Sequence, residues 1–68
     1  MTFCKVLKRA EAGGITVEAW EEWDKFASAP RYSVTASRDG ITIDFCICAR
    51  TTWRRKYAEV LAAYIPEG

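Results

Sequence analysis

The sequence predicts a small α+β domain of α-α-β-β-α order, in which an antiparallel β-hairpin is covered on its apolar face by helices. Three observations carry this expectation. Asp39-Gly40, a favoured two-residue hairpin turn, separates two alternating runs over 31–38 and 41–48. Three other stretches place apolar residues at helical spacing. Half of the 68 residues are hydrophobic, with three each of Phe, Trp and Tyr, which supplies the burial that so short a chain needs.

Residues 2–12 read as the first helix. Phe3, Val6, Leu7 and Ala10 follow i, i+3, i+4, i+7 spacing, with Lys5, Lys8 and Arg9 opposite. Thr2 supplies an N-cap and Gly13-Gly14 a stop. The competing reading, an edge strand, puts Phe3 and Leu7 on one face with Lys5 and Arg9, and helix is preferred on that ground. A second helix is expected from Val17 to Ala29, capped by Thr16 and ended by Pro30. Its apolar face carries Ala19, Trp20, Trp23, Phe26 and Ala27. Glu18, Glu21, Glu22 and Lys25 lie on the other.

Setting the turn at Asp39-Gly40 predicts a hairpin register. Ala36 then faces Ile43, Val34 faces Phe45 and Tyr32 faces Ile47, so the apolar pairs share one side, and a slip of one residue would undo that agreement. The last helix begins after Thr51 or Thr52 and runs to Ile65, before Pro66. Its stripe is Trp53, Tyr57, Val60, Leu61 and Tyr64. Residues 1–68 form a single compact domain with no repeat or linker.

Composition restricts function more than it assigns it. The chain has no histidine, which removes the usual general base near neutral pH and every triad or zinc motif built on it. No glycine-rich phosphate loop is present. Catalysis is therefore not expected, and neither is a cofactor or a metal. Cys4, Cys46 and Cys48 are an odd count. Same-face neighbours on a strand lie about 6.5–7 Å apart, poor geometry for a bridge, so a reducing cytoplasm is expected. No membrane span or apolar signal core is read, and Met1 reads as a natural start.

The net charge is +1, unlike a typical nucleic-acid binder, but the charge is segregated. Glu18, Glu21 and Glu22 form an acidic group. Arg50-Thr51-Thr52-Trp53-Arg54-Arg55-Lys56 puts cations in the first turn of the last helix, where the dipole disfavours each by roughly 0.3–1 kcal/mol. Arg50, Thr51, Thr52, Arg54, Arg55 and Lys56 thus make a candidate partner- or anion-binding site. The bland alternatives are neutralisation by Glu18, Glu21 and Glu22, or a solvated face.

These features suggest a non-enzymatic protein-binding module acting stoichiometrically, as an adaptor or phage-type inhibitor does, through acidic and basic surfaces. Glu18, Glu21 and Glu22 are the candidate acidic partner face. The alternative is a small RNA- or DNA-binding protein that contacts phosphates through the start of the last helix. A homodimer is also entertained, because so small a domain leaves aromatic surface to cover.

Overall fold

A computed structural model describes the backbone of residues 2–24 and 28–65. Its elements are β1 (Thr2–Ala12), β2 (Ile15–Asp24), β3 (Arg31–Arg38), β4 (Ile41–Cys48) and α1 (Trp53–Tyr64). The strands form one antiparallel sheet in the order β1-β2-β3-β4. This β-β-β-β-α order overturns the expected α-α-β-β-α arrangement. The first expected helix is strand β1; of the second, Val17–Asp24 lie in β2, Ser28 and Ala29 form a bend, and positions 25–27 lie outside the described residues.

The Gly13-Gly14 turn explains the first error. The two glycines have φ of 59° and 81°, matching the 52° and 82° of Asp39 and Gly40. Positive φ at both central residues is the hairpin turn whose twist suits antiparallel strands. Gly-Gly therefore reverses the chain between Ala12 and Ile15 rather than ending a helix. The two turns touch: the Asp39 N–H donates to the Gly14 carbonyl at 3.2 Å. In β2, Ile15, Val17 and Ala19 then alternate with Thr16, Glu18 and Trp20 at period two.

A bulge resolves the objection to a strand at β1. Val6 pairs with Trp20 and Lys8 with Ala19, so Leu7 is the extra residue. Lys5 lies on the helix side, opposite Glu21. After the bulge Arg9 crosses to the other face, opposite Glu18. Leu7 packs against the core. The strict alternation that had set Leu7 beside Arg9 does not survive one inserted residue.

The hairpin at Asp39-Gly40 is present, but its predicted register is corrected by a second bulge. Arg38 pairs with Ile41 and Ser37 with Thr42, and then Ala36 pairs with Asp44, leaving Ile43 extra. Beyond it, Val34 faces Cys46 and Tyr32 faces Cys48, not Phe45 and Ile47. The slip moves Asp44, Cys46 and Cys48 to the helix side and turns Phe45 and Ile47 to the opposite face.

Helix α1 agrees with its predicted span and stripe. Trp53, Tyr57 and Val60 are buried against Val17, Ala19, Tyr32, Val34 and Ala36, with Leu61 and Tyr64 at the margin. The Tyr32 and Trp53 rings stack with centroids 6.3 Å apart. Tyr64 donates its hydroxyl proton to Asp44 Oδ2 at 3.2 Å. The helix packs over β2 and β3. A shortest dimension of 15 Å leaves room for one helix layer on one sheet. The other face of the sheet has no cover among the described residues.

Candidate protein-binding surface

The start of α1 is built by a tight turn. The Thr52 and Trp53 N–H groups both donate to the Ala49 carbonyl at 3.1 Å. Thr52 Oγ1 accepts the Ala49 N–H at 3.0 Å, so this hydroxyl closes the loop and does not cap the helix. The predicted cluster is divided around this turn. Arg50, Thr51 and Arg54 line a groove of about 540 Å³ with Leu7, Glu21, Tyr32 and Trp53. Thr52, Arg55 and Lys56 line another, of about 290 Å³, with Cys46, Cys48 and Glu59.

Part of the unfavourable charge at the helix start is met internally. The Arg54 guanidinium lies 4.7 Å from the centre of the Trp53 ring, a contact worth about 0.5–1 kcal/mol at an exposed site. That matches the dipole cost of one cation. Lys56 Nζ reaches Glu59 at 3.9 Å, and Lys8 Nζ lies 5.9 Å over Tyr57. The helix side of the molecule is cationic all the same. Lys5, Lys8, Arg38, Arg50, Arg54, Arg55 and Lys56 gather there against Glu21, Asp44 and Glu59.

The expected acidic face does not exist as a unit. Because β2 has period two, Glu21 points to the helix side while Glu18 and Glu22 point to the open face. Glu21 accepts the Trp23 indole N–H at 2.8 Å and the Tyr32 hydroxyl at 3.0 Å. The Trp23 bond, then the Tyr32 bond and the cations Lys5 and Arg50, hold its carboxyl below the usual range against some desolvation. Tyr32 is correspondingly pushed up, by desolvation first and by Glu21 second. Neutralisation of the basic cluster by Glu18, Glu21 and Glu22 thus reduces to one carboxylate near Arg50.

Cys4 lies on β1, opposite Glu22 on the open face, whereas Cys46 and Cys48 lie on β4 on the helix side. Three strand spacings of about 4.8 Å and the thickness of the sheet separate them. Burial, and next the neighbouring Cys46, push the Cys48 thiol up, which disfavours the thiolate a metal or redox role requires. Among the described residues, no three His, Cys, Asp or Glu side chains come together as a metal site.

The open face is the feature sequence reasoning missed. Register places Val6, Trp20, Ser33 and Ile47 in one row across all four strands, with Arg9, Glu18, Thr35 and Phe45 in the next. Val6 is 40% exposed, Phe45 58% and Ile47 60%. Large apolar side chains in contiguous exposed positions mark interaction surfaces. Among the described side chains its charges are Glu11, Glu18 and Glu22 against Arg9 and Arg31, a slight acidic excess opposite the cationic helix side. The available signal was the pair of two-residue hairpin turns, which together demand a meander.

Comparison with protein-family models, curated proteins and solved structures finds no match to this chain. No helix among the described residues is long and apolar enough to cross a membrane.

Proposed function

We propose that this chain is a non-enzymatic protein-binding module of the cytoplasm, acting stoichiometrically as an adaptor or inhibitor through the open face of its sheet. The observation that carries the reading is the uncovered sheet face, with exposed Val6, Phe45 and Ile47 and, between Val6 and Ile47, half-buried Trp20 and Ser33. Burying such a face is favourable at about 25 cal/mol per Å² of apolar surface. Glu18 and Glu22 flank Trp20, so the partner that fits is a protein presenting an apolar ridge with basic neighbours.

A second reading is kept because the start of the helix sets Arg50 and Arg54 along one groove and Arg55 and Lys56 along the other. Phosphates of RNA or DNA would bind there. Trp53 is buried under the helix, so base stacking is no part of that reading.

Capture from nuclease-treated lysate, followed by reconstitution with the purified captured protein, tests the choice. The proposal expects a 1:1 complex that Val6→Glu and Trp20→Thr abolish while circular dichroism stays unchanged. Capture only of nuclease-sensitive material, lost when Arg50, Arg54, Arg55 and Lys56 become Ser, would replace it with the second reading.

A further inference from the structure

The outer strands of a sheet bear unpaired backbone N–H and C=O groups, which proteins guard with charge, proline or bulges. β1 is guarded. Lys5, Lys8, Arg9 and Glu11 lie along it, and the bulge at Leu7 interrupts it. The sequence of β4, Ile-Thr-Ile-Asp-Phe-Cys-Ile-Cys, has Asp44 as its one charge and no proline. Ile41, Ile43, Phe45 and Ile47 along it are all exposed. Helix α1, seated over β2 and β3, leaves the groove of Thr52, Arg55, Lys56 and Glu59 open above Cys46 and Cys48.

We propose that β4 pairs with β4 of a second copy, antiparallel about a two-fold axis through Phe45, joining two four-stranded sheets into one of eight. This register sets Phe45 against Phe45 and Asp44 against Cys46; with Ile43 again the extra residue, Thr42 meets Ile47 and Ile41 meets Cys48. Centring the axis on Asp44 would set two carboxylates face to face. Centring it on Cys46 would leave Thr42 and Ile41 unpaired. Only the Phe45 register pairs Ile41 through Cys48, with Ile43 as the bulge, without opposing like charges.

The charges support the same choice of occupant. Asp44 and Cys46 both point to the helix side, and Cys46 lines the groove with Arg55 and Lys56. The carboxylate of Asp44 from the second copy, set across from Cys46, therefore arrives beside two cations, and the symmetry makes this contact twice. Pairing through β1 would instead bring Lys5, Lys8 and Arg9 of both copies together. A β1-to-β4 joint is head-to-tail and would not close. The assembly deepens the proposed binding role and rests on it only for self-association. The backbone edge of β4 makes the dimer, and the row at Val6 and Trp20 stays free for another partner.

Sedimentation equilibrium of the full chain up to roughly 100 μM, a range where even weak complexes form, reads the mass directly. A dimer is expected, reduced to monomer by Phe45→Lys and weakened by about tenfold or more in Lys56→Glu. Val6→Glu and Trp20→Thr leave its mass unchanged, which separates this test from that of the other partner. If Phe45→Lys fails to fold, a second variant decides. Phe45→Cys, in a background of Cys4→Ser, Cys46→Ala and Cys48→Ala, forms a disulfide between the two introduced thiols on mild oxidation. A wild-type chain that stays monomeric overturns the proposal. So does a dimer that persists in Phe45→Lys, or one that gives no cross-link in the Phe45→Cys variant.

Discussion

β1 and β4 are both outer strands of the same sheet, and each has a one-residue bulge in its pairing, yet the two bulges do opposite things. In β1 the extra residue, Leu7, packs inward and sends Arg9 to the open face, so the strand offers solvent a charged edge. In the β3–β4 ladder the extra residue, Ile43, turns Phe45 and Ile47 away from the helix and brings Asp44, Cys46 and Cys48 beneath it. One bulge hides apolar surface and the other exposes it. Side-chain direction in a strand has period two, so a single inserted residue decides which face inherits the hydrophobic set. An exposed hydrophobic set on an unguarded edge is what the proposed association rests on.

The comparison predicts a wide range of effects for substitutions of similar size. Trp53→Ala removes a buried ring stacked on Tyr32 and should cost about 3–5 kcal/mol, enough to abolish a cooperative transition in a domain this small. Urea denaturation followed by far-ultraviolet circular dichroism reads it. At the turn that joins β1 to β2, Gly14→Ala should cost about 1–2 kcal/mol. Its φ is 81°, and a Cβ there meets Asp39 Oδ1 at 3.2 Å. The same denaturation curves measure it, and an unchanged midpoint would refute the turn geometry.

Acid should sharpen the role of Glu21, the one member of the expected acidic group that faces the helix. Its folded carboxyl titrates below the ordinary value of about 4.3, first because of the Trp23 hydrogen bond. Its stabilisation is therefore whole above that value and is lost as pH falls through the folded one. Wild-type stability should decline more steeply than that of Glu21→Gln between about pH 5 and pH 3. Parallel curves from urea titrations at stepped pH would remove Glu21 from the account.

The smallest effect is the most discriminating. Phe45→Thr, measured at concentrations where the chain is monomeric, should change stability by no more than about 0.5 kcal/mol. In the bulge-free register Phe45 would face Val34 under the helix, and the same substitution would cost several-fold more. A large loss would therefore restore the register read from the alternating pattern.

Some elements were legible from local chemistry. Asp39-Gly40 specified its hairpin through the positive φ that both positions need, and the stripe from Trp53 to Tyr64 specified the last helix and its buried face. Gly13-Gly14 carried an equally good turn signal, but a glycine pair also ends helices. Phe3, Val6, Leu7 and Ala10 satisfied helical spacing because a bulged strand breaks its own alternation at the residue that completes that spacing. The basic cluster was visible as residues 50–56. Its division between two grooves, and the contact of Arg54 with Trp53, were not.

By itself the sequence determined the Asp39-Gly40 turn, the final helix with its apolar stripe, the absence of histidine and the run of cations from Arg50 to Lys56. Each of these depends on residues near one another in the chain. Tertiary structure alone decided that Thr2–Ala12 and Ile15–Asp24 form strands, that Glu21 parts from Glu18 and Glu22, and that Phe45 and Ile47 face outward. The physical reason is common to all three. A strand acquires its faces from the strand it pairs with, and a bulge worth one residue is set by which pairing buries Val17, Ala19, Val34 and Ala36 against Trp53, Tyr57 and Val60.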